Sequence, residues 1–530
     1  MTNPPAVDGG RLNGDNENPD TTLTEHEKQI EKKLVWKLDL IILPLVCLTF
    51  FLSCIDRTNY AAARLQHLEK DLKMTDAQYQ TALCIYYLGY IFLQVPSNLL
   101  LNHYGRPALH IGLSTIAWGI VTTCTARVHN FQGMLACRII LGIVGQCLGS
   151  FTHRYVYCFL ALISLFVGVN VEAPVYPGIL FYLTRWYKKT ELTLRISIYL
   201  AAGLVAAAFG SLIAAGILSG LDGVRGLSAW QWLYIIEGAV SISGGIAIIS
   251  CLPNFPHTWT ALAPEMKQVA IRRLTLDALQ ADLDISGGMS QVQGLKLALA
   301  DIKLYVMAAI NMCIIGAIGC QNFFPTLTAT LGYSHIVSLL LVAPPYMFIA
   351  FYSCLHSYLS DKVGNRFWFI MYPAPIAIAG FVIFMTVDTF GIKYFSTFLM
   401  LLIYPMNNTI SAWIATCISR PPAKRAAAYG FISTVANSAN IWTPFTYRNQ
   451  DAPHFRLALG IVTGLVFAAA VLSIVLRMML VRENRKLDGI EIEDSHMTEV
   501  ELARLEKTAE AEGIDMATTK RLHHGFRYTI

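Results

Sequence analysis

Stretches of about 20 consecutive apolar residues recur along the chain from Leu38 to Val481, separated by short polar breaks. No other feature limits the fold as strongly. A helix rises about 1.5 Å per residue, so each stretch can cross a hydrocarbon core of roughly 30 Å. Inside lipid, an open sheet edge or irregular backbone would leave N–H and C=O groups unpaired. The expectation is an all-α integral membrane protein held in a lipid bilayer. Composition agrees, with 55% of the 530 residues hydrophobic and 14% charged, against about a quarter charged in average soluble chains.

Spans are read near 38–58, 78–100, 108–127, 131–186, 192–219 and 230–252, then near 303–327, 336–359, 367–388, 393–417, 427–447 and 457–481. The region 131–186 is too long for one helix. Counted as one span, it gives twelve transmembrane helices, six on each side of a charged, partly amphipathic stretch. This two-half plan is common in transporters built from internal repeats. The expected divisions are an N-terminal tail 1–36, a six-helix bundle 37–253, a central loop 254–302, a second six-helix bundle 303–481 and a C-terminal tail 482–530. Lys and Arg collect in "NHYGR" (102–106), "RWYKK" (185–189), "SDKVGNR" (360–366) and "SRPPAKR" (419–425). Short basic loops stay in the cytoplasm. Both termini and the central loop are therefore expected there, in a multi-pass monomer of the plasma membrane.

Several function classes find no support. The 12 cysteines are scattered singly, without C-x-x-C pairs or His neighbours at ligand spacing, so no metal, redox or disulfide role is expected and no cofactor is implied. A net charge of +5 is ordinary for basic cytoplasmic loops and gives no reason to expect nucleic acid. The N-terminal region shows no cleaved signal peptide. His110 and His356 have no nucleophile or metal constellation beside them, so no enzyme is expected.

Ionisable side chains inside spans cost about 2.5–3.5 kcal/mol on insertion scales, which makes each a candidate for function. Asp56 and Arg57 end the first span in "FLSCIDRTNY"; Arg138 lies within the fourth, and Glu172 follows after a long apolar run. Arg offers a permanent charge and a fork that matches a carboxylate, so Arg57 and Arg138 are candidate substrate-binding residues. A buried carboxyl responds to nearby charge, so Glu172 and Asp56 are candidates for proton coupling. The alternatives are that Asp56 and Arg57 form an interfacial helix end and that Arg138 snorkels to the surface. Gln321 and Asn407 are further substrate-binding candidates, with Asn322, Asn408, Asn437 and Asn440 as other polar groups; each could equally be an interhelical hydrogen bond. Pro325, Pro344, Pro345 and Pro405 mark expected bends. Gly216 and Gly220 suggest a close helix contact in the fifth span.

"SYLSDKVGNR" (357–366) closely resembles the loop signature of the major facilitator superfamily. The resemblance implies a cytoplasmic gating loop formed by Asp361, Lys362, Gly364 and Arg366. The first half has "LNHYGRP" at the equivalent place, with Asn102 where Asp would stand. Taken together, "IDRTNYAAARL", "YYLGYIFLQVPSNLLL", "EAPVYPGILFYLTRWYKK", "WQWLYIIEG", "LPNFPHT", "LGYSHIVSLLLVAPPYM", "AKRAAAYGFISTVANSANIWTPFTYRNQDAPHFR" and "GFRY" resemble the fungal allantoate-permease-like branch of the anion:cation symporter family. That resemblance runs from Leu38 to the end. It implies the major facilitator fold, alternating access, and uptake with protons of a small organic anion such as a vitamin-like or ureide carboxylate. In related vesicular glutamate and sialic acid transporters, Arg residues in helices one and four and a Glu two turns later bind substrate and couple protons. Arg57, Arg138 and Glu172 match them by motif.

That match has an obstacle. Deleting 145–171 restores "RIILGIVEAPVYPG" and sets Glu172 two turns after Arg138, on one helix face about 10 Å away. With the segment retained, the fourth helix gains either an extra crossing, against the basic-inside pattern, or an excursion whose backbone must be buried in protein. Residues 145–171 are read as an unspliced intron, since the codons for Gly145-Gln146-Cys147 and Val171-Glu172 are compatible with splice signals. A genuine insertion is the alternative. The functional alternatives are a non-transporting nutrient receptor of the same fold, or an inactive product of a mis-spliced gene.

Overall fold

In the computed structural model, residues 25–86, 107–147, 179, 182–183, 186–254, 259, 262–282, 291–418 and 422–492 are described, and their regular structure is helical throughout. Glu172 and nearly all of the anomalous segment lie outside them, as do Asn102 and Arg106.

The N-terminal half supplies α1 (Glu25–Leu65), α2 (76–86), α3 (Pro107–Thr125), α4 (Phe131–Cys147), α5 (Lys189–Gly220) and α6 (Ala229–Cys251). The C-terminal half supplies α7 (Ile302–Ala329), α8 (His335–Val363), α9 (Arg366–Thr386), α10 (Phe390–Met400 and Ile403–Cys417), α11 (Pro422–Trp442) and α12 (Arg456–Ile492). Among the described residues, seven helices are long and apolar enough to cross a membrane. α1 begins inside the tail expected over 1–36, and α12 continues past the boundary expected at 481. With 41 residues, α1 is roughly 60 Å long, so one end projects well beyond a bilayer core.

Within the N-terminal half, α3 and α6 pack tightly enough that backbone nearly meets backbone. A Cβ on Gly119 would fall 2.8 Å from the carbonyl oxygen of Gly238, and one on Gly245 would fall 2.8 Å from that of Gly112. Only hydrogen fits there. The expected small-residue contact at Gly216 and Gly220 is not made among the described residues, because a Cβ at either would meet none of them within 4 Å. Small residues permit a close approach, but the neighbouring helix decides whether one forms.

The prolines behave as expected. α7 ends its regular turn at Ile318, tightens to a 3₁₀ segment over Gly319–Phe323, and restarts with Pro325 in its first turn. α8 restarts at Ala343 with Pro344 and Pro345, and α10 restarts at Ile403 before Pro405. Proline lacks the N–H that would continue the ladder but suits a helix start, where that N–H has no partner anyway.

The central loop contains a helix, Pro264–Asp282, that docks against the N-terminal half. Arg273 is fully buried. Its guanidinium donates to the carbonyl of Trp186 and lies 3.3 Å from Glu191 and 3.5 Å from Glu31. Lys188 pairs with Glu31 at 2.6 Å, and Arg195 pairs with Asp39 at 2.6 Å. The C-terminal half has its own cluster at its membrane end, where Asp301 pairs with Lys424 at 2.8 Å and Lys303 with Glu483 at 2.7 Å.

Candidate functional site

A buried charged cluster lies inside the N-terminal bundle. Asp56 of α1 is 4% exposed and Arg138 of α4 is 5% exposed. Asp56 accepts a hydrogen bond from Thr122 of α3 at 3.1 Å. Arg138 donates from Nη2 to the Tyr234 hydroxyl of α6 at 3.2 Å, and its guanidinium carbon lies 4.0 Å from the centre of the Tyr60 ring. A cation over an aromatic face is attracted by the ring quadrupole, more so where water is excluded. Asp56 and Arg138 feel each other's charge, but no ion pair within 4 Å joins them among the described contacts. Among the described residues Arg138 is thus held by a ring and a hydroxyl rather than locked to a carboxylate, and it does not snorkel to the surface.

Arg57 is half-buried and adds its charge beside Asp56. Its neighbour Thr58 opens onto a cavity between the two halves, lined by Ala62 of α1, Ser211 of α5, Gln321 and Phe324 of α7, and Tyr346 of α8, among others. The helix breaks converge here. Gln321 lies in the 3₁₀ segment of α7 and accepts a hydrogen bond from the Tyr404 hydroxyl, at the restart of α10, at 2.5 Å. Asn407 stands one turn after Tyr404 and is half-buried, but it is not part of the cavity lining. Interrupted helices free backbone groups that can only be tolerated in protein or facing a cavity. The structure therefore joins Asp56 with Arg138 in one cluster and sets Gln321 in a neighbouring cavity.

One face of the molecule is closed by contacts between the halves. At the end of α1, Arg64 pairs with Asp76 at 2.6 Å and reaches the side-chain oxygen of Asn449, between α11 and α12, at 2.9 Å. Glu69 lies 2.9 Å from Nε of Arg64, although that oxygen lacks the alignment of a hydrogen bond. Burial pushes the Glu69 carboxyl above the usual carboxylate range, and Arg64 works against that shift. Gln80 donates to the carbonyl of Tyr447 at 2.8 Å, Cys84 to that of Ile441 at 2.9 Å, and Nδ1 of His335 lies 2.7 Å from the carbonyl oxygen of Leu65. Tyr79 meets Phe323 edge-on across the boundary, with ring centres 6.5 Å apart, and Phe323 is backed within its own half by Tyr447, stacked at 4.2 Å. At the opposite face, each ion pair described stays within one half, with the loop helix Pro264–Asp282 counted with the first and Asp301, the N-cap of α7, with the second.

The residues expected to form the gating loop connect α8 to α9. Asp361 and Arg366 pair at 2.6 Å, and Arg366 also donates to Ser360 at 3.2 Å. Gly364 has φ +72° and its N–H caps α8 at the Ser360 carbonyl. That left-handed turn favours glycine. Lys362 is exposed at the same helix end.

Sequence reasoning missed Arg64, Tyr60, Tyr234 and Glu237. Glu237 had a visible signal, a single acid in the middle of an apolar span. The Tyr residues had none, because their hydroxyls and rings acquire meaning only from the arginine packed against them.

Two helical halves joined around a central cavity and sealed at one face define a multi-pass membrane transporter fold. A sequence profile of the Major Facilitator Superfamily matches residues 46–156 and 142–444, and the chain belongs to that superfamily. It is 30% identical over 490 residues to the MFS-type transporter cnsO of Penicillium expansum, covering 88% of each chain. Identity is 27% over 448 residues to the major facilitator-type transporter hxnP of Emericella nidulans, covering 81% of each. Among solved structures, the fold matches a bacterial homolog of the human lysosomal transporter Spinster, with TM-score 0.58, 15% identity and coverage of 83% of this chain and 97% of that one. It also matches a D-xylose-proton symporter, with TM-score 0.57, 13% identity and coverage of 82% and 96%.

Proposed function

We infer that this transporter carries a small organic anion, a vitamin-like or ureide carboxylate, together with protons by alternating access. The observation that carries the reading is Arg138, a permanent cation buried beside a buried carboxyl and without a direct ion pair among the described residues. Such a guanidinium gives an arriving carboxylate a bidentate partner in a low-dielectric setting, where charge-assisted bonds are strong. Asp56 and Glu172 supply proton-accepting groups, Arg57 adds a second cation beside Asp56, and Gln321 lines the cavity from which substrate approaches.

In the cycle, protonation of the acidic groups and arrival of the anion favour occlusion, and the halves then rock about the site. The sealed face corresponds to the outside if the basic loops stay in the cytoplasm, so the structure is read as closed outward. The protein acts in the plasma membrane with both termini inside.

The test is uptake of radiolabelled nicotinate, pantothenate, biotin and allantoate into liposomes bearing the purified protein, with and without an inward proton gradient. At least one is expected to accumulate, and a protonophore is expected to abolish the accumulation. Uptake indifferent to the gradient would remove proton coupling, and an Arg138→Ala variant with normal uptake would remove the anion site.

The segment 145–171 is proposed to be a retained intron, and the functional chain to be the one that joins Val144 to Glu172. The profile match is interrupted in the same region, its two pieces, 46–156 and 142–444, overlapping over 142–156. Transcript sequencing across this junction is expected to show mainly the short form; a predominantly long, translated message would refute it.

A further inference from the structure

Glu237 lies mid-way along α6, 6% exposed, and neither carboxyl oxygen has a hydrogen-bond partner among the described residues. It is the one charged residue between Ala229 and Cys251. Each packed element can be searched for a group that compensates it. α1 brings Asp56, with Arg57 beside it. α3 brings Thr122 and Thr123, and has no charged residue from Ile111 to Thr125. α4 brings Arg138, which is occupied by Tyr234, one turn before Glu237. α5 has no charge between Arg195 and Gly220. Asp56, of like sign, is the acidic neighbour of Glu237, and the hydrogen bonds described for Asp56 and Arg138 go to Thr122 and Tyr234.

An ionised carboxylate in this position has lost its hydration and gained no donor among the described residues, which strongly disfavours the charged form. Two carboxyls sharing one site cannot both ionise cheaply. The neutral acid avoids both penalties. We propose that Glu237 is a second proton-binding group of the N-terminal bundle, holding a proton on one Oε in the sealed arrangement while Asp56 remains the counter-ion of Arg138. When the halves shift and water reaches the pocket, the proton passes to that water and the carboxylate takes up the new hydrogen bonds. This deepens the proton-coupled reading, but its first test needs no substrate.

Infrared spectra of the purified full chain, grown with unlabelled or carboxyl-¹³C glutamate and titrated across about pH 5 to 9, report protonated carboxyl groups directly. The expected result is a protonated-acid C=O band at neutral pH that shifts with glutamate labelling, disappears in Glu237→Gln and persists in Asp56→Asn and Glu172→Gln. Glu237→Asp, which keeps the acid, is expected to move the band out of the labelled set, and it serves if Glu237→Gln does not fold. No protonated glutamate band at neutral pH, or an unchanged band in both Glu237 variants, overturns the proposal.

The transport readout uses whichever of the four radiolabelled anions accumulates in liposomes. Glu237→Gln is expected to keep counterflow exchange and to lose about tenfold of gradient-driven accumulation; unchanged accumulation overturns the coupling role. A band assigned to Glu237 in a protein that carries none of the anions defeats the transport reading and leaves this one standing. Proton-driven uptake without the band does the reverse.

Discussion

Arg64 Nη2 and the side-chain oxygen of Asn449 meet at 2.9 Å across the boundary between the two halves, although 385 positions separate them in sequence. The same guanidinium holds Asp76 at 2.6 Å, and Asp76 in turn accepts the Asn449 backbone N–H at 3.1 Å. One side chain thus ties three segments into the seal. Arg64→Ala removes charge-assisted bonds of about 1.5–3 kcal/mol each before solvent screening. We expect the sealed population to fall by roughly tenfold. The measurement is the alkylation rate of Cys84, which is 4% exposed at the seam, in a variant retaining no other cysteine. A rate equal to that of the parent would show that Arg64 does not hold the seal.

The two acids beside Arg64 are expected to differ. Asp76 accepts from Arg64, Gln80 and Asn449, whereas burial of Glu69 already favours its neutral form. Glu69→Gln should change Cys84 alkylation by less than about threefold, and Asp76→Asn by about as much as the loss of Arg64. Equal effects would contradict this ranking.

For α3 and α6, Gly238→Ala sets a Cβ 2.1 Å from Thr123 Oγ1 and 2.7 Å from the Gly119 carbonyl oxygen. Overpacking of this kind costs about 1–3 kcal/mol. Gly216→Ala meets open space and should be neutral or slightly stabilising, since alanine favours helix over glycine by up to about 1 kcal/mol. Thermal unfolding in detergent checks the pair. The same midpoint for both would mean that the close approach is not required.

Arg273 joins the loop helix to the N-terminal half while fully buried. Arg273→Ala leaves Glu31 and Glu191 without that cation and opens the carbonyl of Trp186. The expected cost is about 3 kcal/mol, the range for breaking a buried pair. Limited trypsin digestion at Lys267 and Arg272 should then become faster by at least tenfold at low protease, where cleavage follows the open population. An unchanged rate would show that the loop is held by its apolar face alone.

Tyr234→Phe tests how Arg138 is positioned. It removes one hydrogen bond to a charged group, about 1.5–3 kcal/mol, while keeping the ring in place. For whichever anion accumulates, we expect a raised KM with little change in stability. An unaltered KM would mean that Tyr60 alone orients the guanidinium.

Much of the architecture was legible before any coordinates. Apolar runs and the charged break at 254–302 are local properties, and lipid converts an apolar run directly into a helix. Proline positions forecast the breaks in α7, α8 and α10 because a missing N–H acts within its own turn. The candidate site was legible only in part. A charge inside a span is visible in sequence, which is why Asp56, Arg57 and Arg138 were found, and Glu237 should have been found by the same rule.

The seal and the close helix contact were not legible, for a different reason. Gly216 and Gly220 carry the small-residue spacing, yet Gly119 and Gly238 make the contact, because the approach depends on which helix lies opposite. Arg64 reads as one charge among many in a balanced loop until the fold brings Asn449 to it. The sequence by itself determined the material of this protein: membrane helices, two halves and the depth of its charges. Only the tertiary structure decided the partners. Hydropathy and backbone hydrogen bonding act over neighbouring turns, whereas an ion pair or an unpartnered carboxyl group is set by which distant helix faces it.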